Sequence, residues 1–350
     1  MKLLKFIVPI VIYFVIEWLL GPIWAMAIAV VLSAVQLIGE YATGRHINRS
    51  YIYDIAIILI FGLIEYFTEG VSMQLMRIAA PLILAALLLL SLHSKFDIVG
   101  NLGGGMFDKM MKNPYNRYNL RRSQRRMMAW CLICAAAYAF AWKVPQNAAA
   151  QWIDGYMLLT LLAAYVATEI VAGRIAAHKY RNAEWVPLVQ DDGKVVGSAP
   201  RPLVHNGSLW LHPVVHLHVT NKGRLLLQLR PKTKKIQPGR WDTAVGGHIA
   251  AGENLEAALK REVYEEIGLQ QFKAQLVKRY VWECDVEHEY VFSFVAESKG
   301  PFETKNVGEV EELRFWSREE LKRNIGKGVF TPNLEKELDE WLLEYLGSRR

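Results

Sequence analysis

Gly247-His-Ile-Ala-Ala-Gly-Glu-Asn-Leu-Glu-Ala-Ala-Leu-Lys-Arg-Glu-Val-Tyr-Glu-Glu-Ile-Gly-Leu269 is the stretch that decides how the C-terminal half folds. Leu255, Ala258, Leu259 and Val263 recur at helical spacing, so a helix over 253–267 has one buried apolar stripe. Gly268 follows the last apolar position, where a helix can end in a left-handed residue without strain. Glu262, Glu265 and Glu266 stand at i, i+3 and i+4 and share one face. Carboxylates crowded on one face repel one another unless a cation sits between them. Oxygen ligands of this kind suit Mg²⁺ (or Mn²⁺), completed by waters. Such an ion can neutralise a bound anion and orient a water for attack.

Outward from this helix the chain reads as short strands. Trp185–Gln190 and Lys194–Ser198 flank Asp191-Asp192-Gly193, and Val214–Thr220 and Arg224–Arg230 flank Asn221-Lys222-Gly223; both predict hairpins. Strands are expected near Leu276–Cys284, Glu289–Ala296 and Leu313–Ser317, and helices near Arg318–Asn324 and Asn333–Leu346. The order is that of an α+β sandwich, strands around one central helix.

The other half is written for a different solvent. Up to about Tyr180 long apolar runs dominate, and beyond it charges are dense and mixed, although the whole is 52% hydrophobic with net charge +7. Crossing a bilayer takes ~20 apolar residues in a helix. Leu4–Leu20, Pro22–Gly39, Tyr51–Phe67, Met73–Leu92, Met127–Val144 and Trp152–Gly173 are the candidates; the first two, joined at Gly21-Pro22, can also be one kinked element. An all-α transmembrane bundle of about six helices over 1–180 is therefore expected, then a soluble domain over 184–350. The start Met-Lys-Leu-Leu-Lys has no small-residue cleavage site after it and reads as a retained helix. Alternate loops are rich in Lys and Arg, above all 93–127, which places both termini and the soluble domain in the cytoplasm, at a bacterial-type inner membrane. Trp18, Trp24, Trp142 and Trp152 fall near the outer ends, as an aromatic belt would. The basic loop reads as a membrane-flanking segment, and no nucleic-acid partner is expected; oligomeric state is open. Glu17, Asp54 and Glu169 are read as lying at span ends or pairing with a helix neighbour. Cys131, Cys134 and Cys284 are read as small buried hydrophobes.

The quoted stretch matches every position of the Nudix box, Gly-x5-Glu-x7-Arg-Glu-U-x-Glu-Glu-x-Gly-U with U apolar, and the C-terminal half from about Glu184 resembles the Nudix hydrolase superfamily. The resemblance implies an α/β/α sandwich with a mixed sheet, Glu262, Glu265 and Glu266 as metal and catalytic residues with Arg261, and an Arg261–Glu253 pair. Gly252, Glu253 and Gly268 become structural positions of the motif, and Gly247, Arg230 and Lys235 candidate substrate contacts. Substrate choice is expected from the loops Lys232–Gly239 and Phe302–Val310. The flanks resemble the isopentenyl-diphosphate isomerase branch, which implies a divalent ion on His205, His212, His248, Glu287 and Glu289. His216, His218 and His288 have no such match and are read as structural. One departure matters: the isomerases carry a catalytic Cys where this chain has Gly246. The stretch around Asn113-Pro114-Tyr115 through Trp142 loosely resembles the intracellular septation protein A family of inner-membrane proteins.

A membrane-anchored hydrolase cleaving a small-molecule diphosphate on the cytoplasmic side is the leading expectation. The alternatives are an isoprenoid-diphosphate isomerase-like enzyme and a nucleotide-sensing module that regulates the membrane domain.

Overall fold

The computed structural model describes residues 71–93, 110–305 and 308–348, with scattered helical positions between 16 and 38. The chain divides into two compact units, Met1–Lys112 with Asn116–Lys179, and Asn113–Tyr115 with Tyr180–Arg350.

In unit one the described helices are α1 (Val71–His93), α2 (Pro114–Lys143) and α3 (Ala148–Lys179). Three expected spans, Met73–Leu92, Met127–Val144 and Trp152–Gly173, fall on them. Leu4–Leu20, Pro22–Gly39 and Tyr51–Phe67 lie outside the described residues, scattered positions apart. Among the described residues one helix is long and apolar enough to cross a membrane, Leu159–Lys179, with a shorter apolar helix at Arg77–His93. The expectation of about six spans is thus met by one such helix here. The physical reason is charge: Arg77 cuts into the apolar run of α1, and Arg126 and Lys143 bound that of α2. Leu159, Leu162, Val166 and Ile170 of α3 are exposed. Glu169 does pair with a neighbour: Arg126 Nε and Nη2 donate to its two oxygens at 2.7 Å each. Cys131 and Cys134 are buried, as read.

Unit two opens with the hairpin β1 (Trp185–Val189) and β2 (Val195–Pro200). A helical turn (Arg201–Leu203) runs on as the π-helical turn Val204–Ser208. Then come β3 (His212–Asn221), β4 (Arg224–Leu229), β5 (Trp241–Thr243) and β6 (Val245–His248). Helix α4 (Leu255–Ile267) precedes β7 (Ala274–Glu283), β8 (His288–Glu297) and β9 (Glu312–Trp316). The described chain ends with α5 (Arg318–Asn324), α6 (Pro332–Glu337), a π-helical turn (Leu338–Leu342) and α7 (Leu343–Ser348).

The large sheet runs β5-β4-β3-β8-β7, with β6 also on β3 and β9 on β4. Its centre, β3 with β8, is parallel, and the other pairs are antiparallel. Side chains alternate across it. Val215, Leu217 and Val219 pack with Ala258, Leu259, Val263 and Ile267 of α4. On the other face Leu225 and Leu227 pack with Leu321, Phe330, Leu334, Leu338 and Leu342. Each fully buried aliphatic side chain contributes about 1.5–3 kcal/mol, and the two cores hold one helical layer on each face of the sheet.

Helix α4 starts at Leu255, two residues later than its pattern suggests, because Asn254 caps it: the Asn254 side chain accepts from Ala257 N at 2.8 Å. Gly268 ends it with φ 70°. A side chain there would also meet the Glu303 carbonyl oxygen.

Candidate active site

The helix that buries Ala258 and Val263 turns Glu262, Glu265 and Glu266 toward a cleft of about 490 Å³. Glu266 is the deepest, 6% exposed. One of its oxygens accepts from Gly246 N and from Gln228 Nε2, both at 3.0 Å. Burial, against the Gly246 hydrogen bond, pushes its carboxyl up to about 8. Burial also raises Glu262, against the pull of Arg261. Gly247 lines the cleft too, and a Cβ there would run into the Glu262 carboxyl. That close approach explains a glycine beside the helix.

Arg261 ties the motif together. Its Nε and Nη2 donate to the two oxygens of Glu253 at 3.0 and 2.9 Å, Nη2 also to the His248 carbonyl at 2.9 Å, and Nη1 to Glu262 at 2.6 Å. Glu253 also accepts from Ala250 N at 3.0 Å. The preceding loop, which turns at Gly252 with φ 88°, is thereby fixed to the helix.

The cleft carries more charge. Glu287 and Glu289 both line the cleft, and burial raises both; each is also pushed up by the other or by Asp242, with Glu289 reaching about 8. Four carboxylates are thus held uncomfortably in one cleft, the condition that a bound cation relieves. The donor set is oxygen throughout, as Mg²⁺ or Mn²⁺ prefers.

The five residues expected to share one ion do not form one group. His205, from the π-helical turn, His212, at the start of β3, and His248, at the end of β6, bring their ring nitrogens within 4.8 Å of one another. Glu287 and Glu289 are not part of that group; their electrostatic neighbours are Asp242, Arg230 and His216. His205 Nε2 and His248 Nε2 stand 2.8 Å apart. His212 bonds the Trp210 carbonyl through Nδ1 at 2.9 Å, which leaves Nε2, buried and without a partner, as a lone pair. Burial lowers all three rings, His212 to about 4, so they are neutral, the form that ligates metals. The chemistry of this group fits a divalent ion.

Arg230 lines the cleft and is held by Asp242 at 2.9 Å and the Ile236 carbonyl at 3.1 Å. Lys235 does not line it. Its neighbour Lys234 does, paired with Glu309, because the irregular loop turns that residue inward. Both loops expected to shape specificity therefore reach the cleft, through Lys234 and Glu309. Cys284, read as a buried hydrophobe, is half-buried and lines the cleft. His288 is structural, as read, its Nδ1 bonded to the Leu209 carbonyl at 2.9 Å. His216 also lines the cleft. Reading residue by residue missed it; the signal was the alternation His212, His216, His218, which puts all three on one face of β3.

With this geometry the comparisons with known proteins agree. The profile of the NUDIX domain matches residues 210–334. The chain is similar to the isopentenyl-diphosphate Delta-isomerase of Mycolicibacterium vanbaalenii, 42% identical over 88 residues, 25% of this chain and 49% of that one. The Serratia proteamaculans protein of the same description is 32% identical over 148 residues, 40% and 78% of the two chains. The uncharacterized Nudix hydrolase YfcD of Escherichia coli strain K12 is 28% identical over 162 residues, 46% and 88%. The match spans about half the length of the Mycolicibacterium relative. Unit two carries a Nudix domain, and the chain belongs to the Nudix hydrolase family.

Proposed function

We propose that unit two hydrolyses a diphosphate linkage in a small molecule, such as a nucleoside diphosphate joined to a second group, and that Glu262, Glu265 and Glu266 hold the Mg²⁺ or Mn²⁺ it uses. The observation that supports this is the carboxylate excess of the cleft. Two like charges 4 Å apart repel by about 4 kcal/mol at an effective dielectric near 20, so a bare diphosphate is repelled from such walls. When bound, the ion supplies charge neutralisation and a more acidic water. Gly246 N and Gln228 fix the reach of Glu266, and Arg261 balances Glu262 and keeps the Gly247 loop against the helix. Glu265 is the most exposed of the three and the nearest to solvent water. The three-histidine group is proposed as a second metal site.

Isoprenoid-diphosphate isomerisation is the second reading, favoured by one observation: a thiol, Cys284, lines the cleft although Gly246 has no side chain. The proposal extends to location. The exposed apolar face of α3 supports attachment to a bilayer, and the loop charges support an inner membrane with both termini and unit two in the cytoplasm. In a cysteine-depleted chain, a probe near Ser348 is then shielded from an impermeant reagent in intact cells and one near Asn147 reacts; the reverse pattern overturns this orientation.

The test of activity uses the full chain in detergent with Mg²⁺ and a panel of nucleotide, sugar-nucleotide, coenzyme A and prenyl diphosphates. Phosphorus NMR is expected to show cleavage of at least one class, lost in Glu265→Gln. No cleavage across the panel refutes hydrolysis, and deuterium uptake from heavy water into isopentenyl diphosphate without cleavage selects the isomerase.

A further inference from the structure

One histidine runs from the interior of unit two to the wall of the cleft. His216 lies on β3, directly across from Gly246 of β6 in the antiparallel register. Its Nδ1 faces an oxygen of Glu337 at 3.2 Å. Glu337 comes from α6, is 1% exposed, and does not itself line the cleft. It is anchored further: His218 Nε2 stands 3.0 Å from the same oxygen, and the Ser293 hydroxyl donates to the other at 2.8 Å. With Nδ1 committed behind the ring, the Nε2 edge remains for the cleft. Nε2 and Cδ2 of His216 lie 3.9 and 3.7 Å from where a Cβ on Gly246 would stand. Gly246 N in turn holds Glu266. The free edge of His216 is therefore beside the backbone that positions the deepest carboxylate of the helix.

The other cations of the cleft are already matched within reach of it. Arg230 is paired with Asp242, Arg261 with Glu253 and Glu262, Arg201 with Glu184 and Lys234 with Glu309. His216 differs in that the carboxylate its ring bonds, Glu337, stands behind it and outside the cleft, while Asp242, Glu287 and Glu289, which line the cleft, are its further electrostatic neighbours. Burial alone would lower the ring's pKa, but the charge and hydrogen bond of Glu337 outweigh it, and Asp242 and Glu289 add to them, so the ring is lifted to about 9. A cation backed in this way offers an anion one strong, directed donor.

We propose that His216 is a substrate-binding residue of the cleft, its Nε2–H donating to an oxygen of the diphosphate while Glu337 holds the ring from behind. This rests on the diphosphate reading above and adds to it a protein donor that approaches the substrate from the sheet. No bond is made or broken by the contact; His216 orients the anion and shares its charge.

The probe is methylenediphosphonate, a diphosphate that cannot be hydrolysed, with Mg²⁺ and the full chain in detergent. Histidine rings are labelled with ¹⁵N, and the ring signal missing from His216→Gln identifies His216. At saturation the Nε2 signal of His216 is expected to shift more than its Nδ1 signal. In His216→Gln the inhibition constant of methylenediphosphonate should rise about tenfold or more, the size of a charge-assisted hydrogen bond. KM for a hydrolysed diphosphate should rise with it and more than kcat falls, a split that simple loss of folded protein does not produce. An Nε2 signal unmoved at saturation overturns the inference, and that reading is made on the unaltered chain, so it does not depend on the variant folding. If methylenediphosphonate fails to bind and no diphosphate in the panel is cleaved, the diphosphate reading falls and this inference with it. Binding of the probe with His216 untouched defeats the inference alone.

Discussion

Glu266→Gln should separate stability from catalysis. Burial raises this carboxyl from an ordinary 4.5 to about 8. The sign follows directly. Between those values the unfolded chain has lost the proton and the metal-free folded chain keeps it, so folded stability falls as pH rises from 4.5 to 8 and is level above. At pH 7 the accumulated cost is about 3 kcal/mol, at about 1.4 kcal/mol per pH unit. Glutamine removes the charge and still accepts from Gly246 N. Gln228 Nε2 donates to that same oxygen, so a glutamine oxygen in its place keeps both bonds. In EDTA at pH 7 the variant is therefore expected to be more stable than the parent, by up to about 3 kcal/mol, with the difference vanishing near pH 4. Turnover should fall by ~10²-fold or more at saturating Mg²⁺. Urea unfolding of the detergent-solubilised chain, read by pulsed proteolysis of unit two at both pH values, measures the first effect, and phosphorus NMR the second. A variant less stable than the parent in EDTA at pH 7 refutes the burial argument, and unimpaired turnover refutes the metal role.

Gly247→Ala places a methyl group against the Glu262 carboxyl; it should cost about 1–3 kcal/mol by overpacking and lower turnover at least ~10-fold, both checked by the same assays. Arg261→Lys replaces a fork bonded to Glu253, Glu262 and the His248 carbonyl by a point charge, and about 2–3 kcal/mol of stability should go with it; a urea midpoint equal to the parent's would show that the tether carries no weight. His212→Ala removes one of three clustered imidazoles, so Mn²⁺ bound there should be lost from the paramagnetic resonance spectrum while Mg²⁺-dependent turnover keeps its dependence on Glu262, Glu265 and Glu266. An unchanged Mn²⁺ spectrum would count against the histidine site.

What could be read from residues alone follows physical range. Helix α4 was legible because its stripe and its terminal glycine are local, although its start was placed two residues early because the Asn254 cap was not read. The hairpins were legible because Asp191-Asp192-Gly193 and Asn221-Lys222-Gly223 announce their turns. Strands β5 and β6 were not: they are three and four residues long, and Val245-Gly246-Gly247-His248 shows no alternation. Lys235 was chosen over Lys234 because a loop has no period to say which of two adjacent lysines turns inward. The His216–Glu337 contact joins residues 121 apart, and no local pattern in β3 points to a C-terminal helix. The five-residue metal set came from resemblance, and the chain keeps its histidines together while Glu287 and Glu289 lie with another set of charges. In unit one the apolar runs were visible, but the arginines inside and beside them weigh against counting each run as a crossing.

Helix α6 does two jobs from adjacent turns. Thr331, Pro332 and Asn333 at its start line the cleft, and Glu337 at its end reaches through to the sheet. A chain shortened before Pro332 would keep every acidic residue of α4 and its arginine tether, yet it would open one side of the cleft and leave His216 without its counter-charge. Trimming the tail of this protein back past α6 is therefore an edit to the cleft wall, felt there before it is felt in the helix that carries the carboxylates.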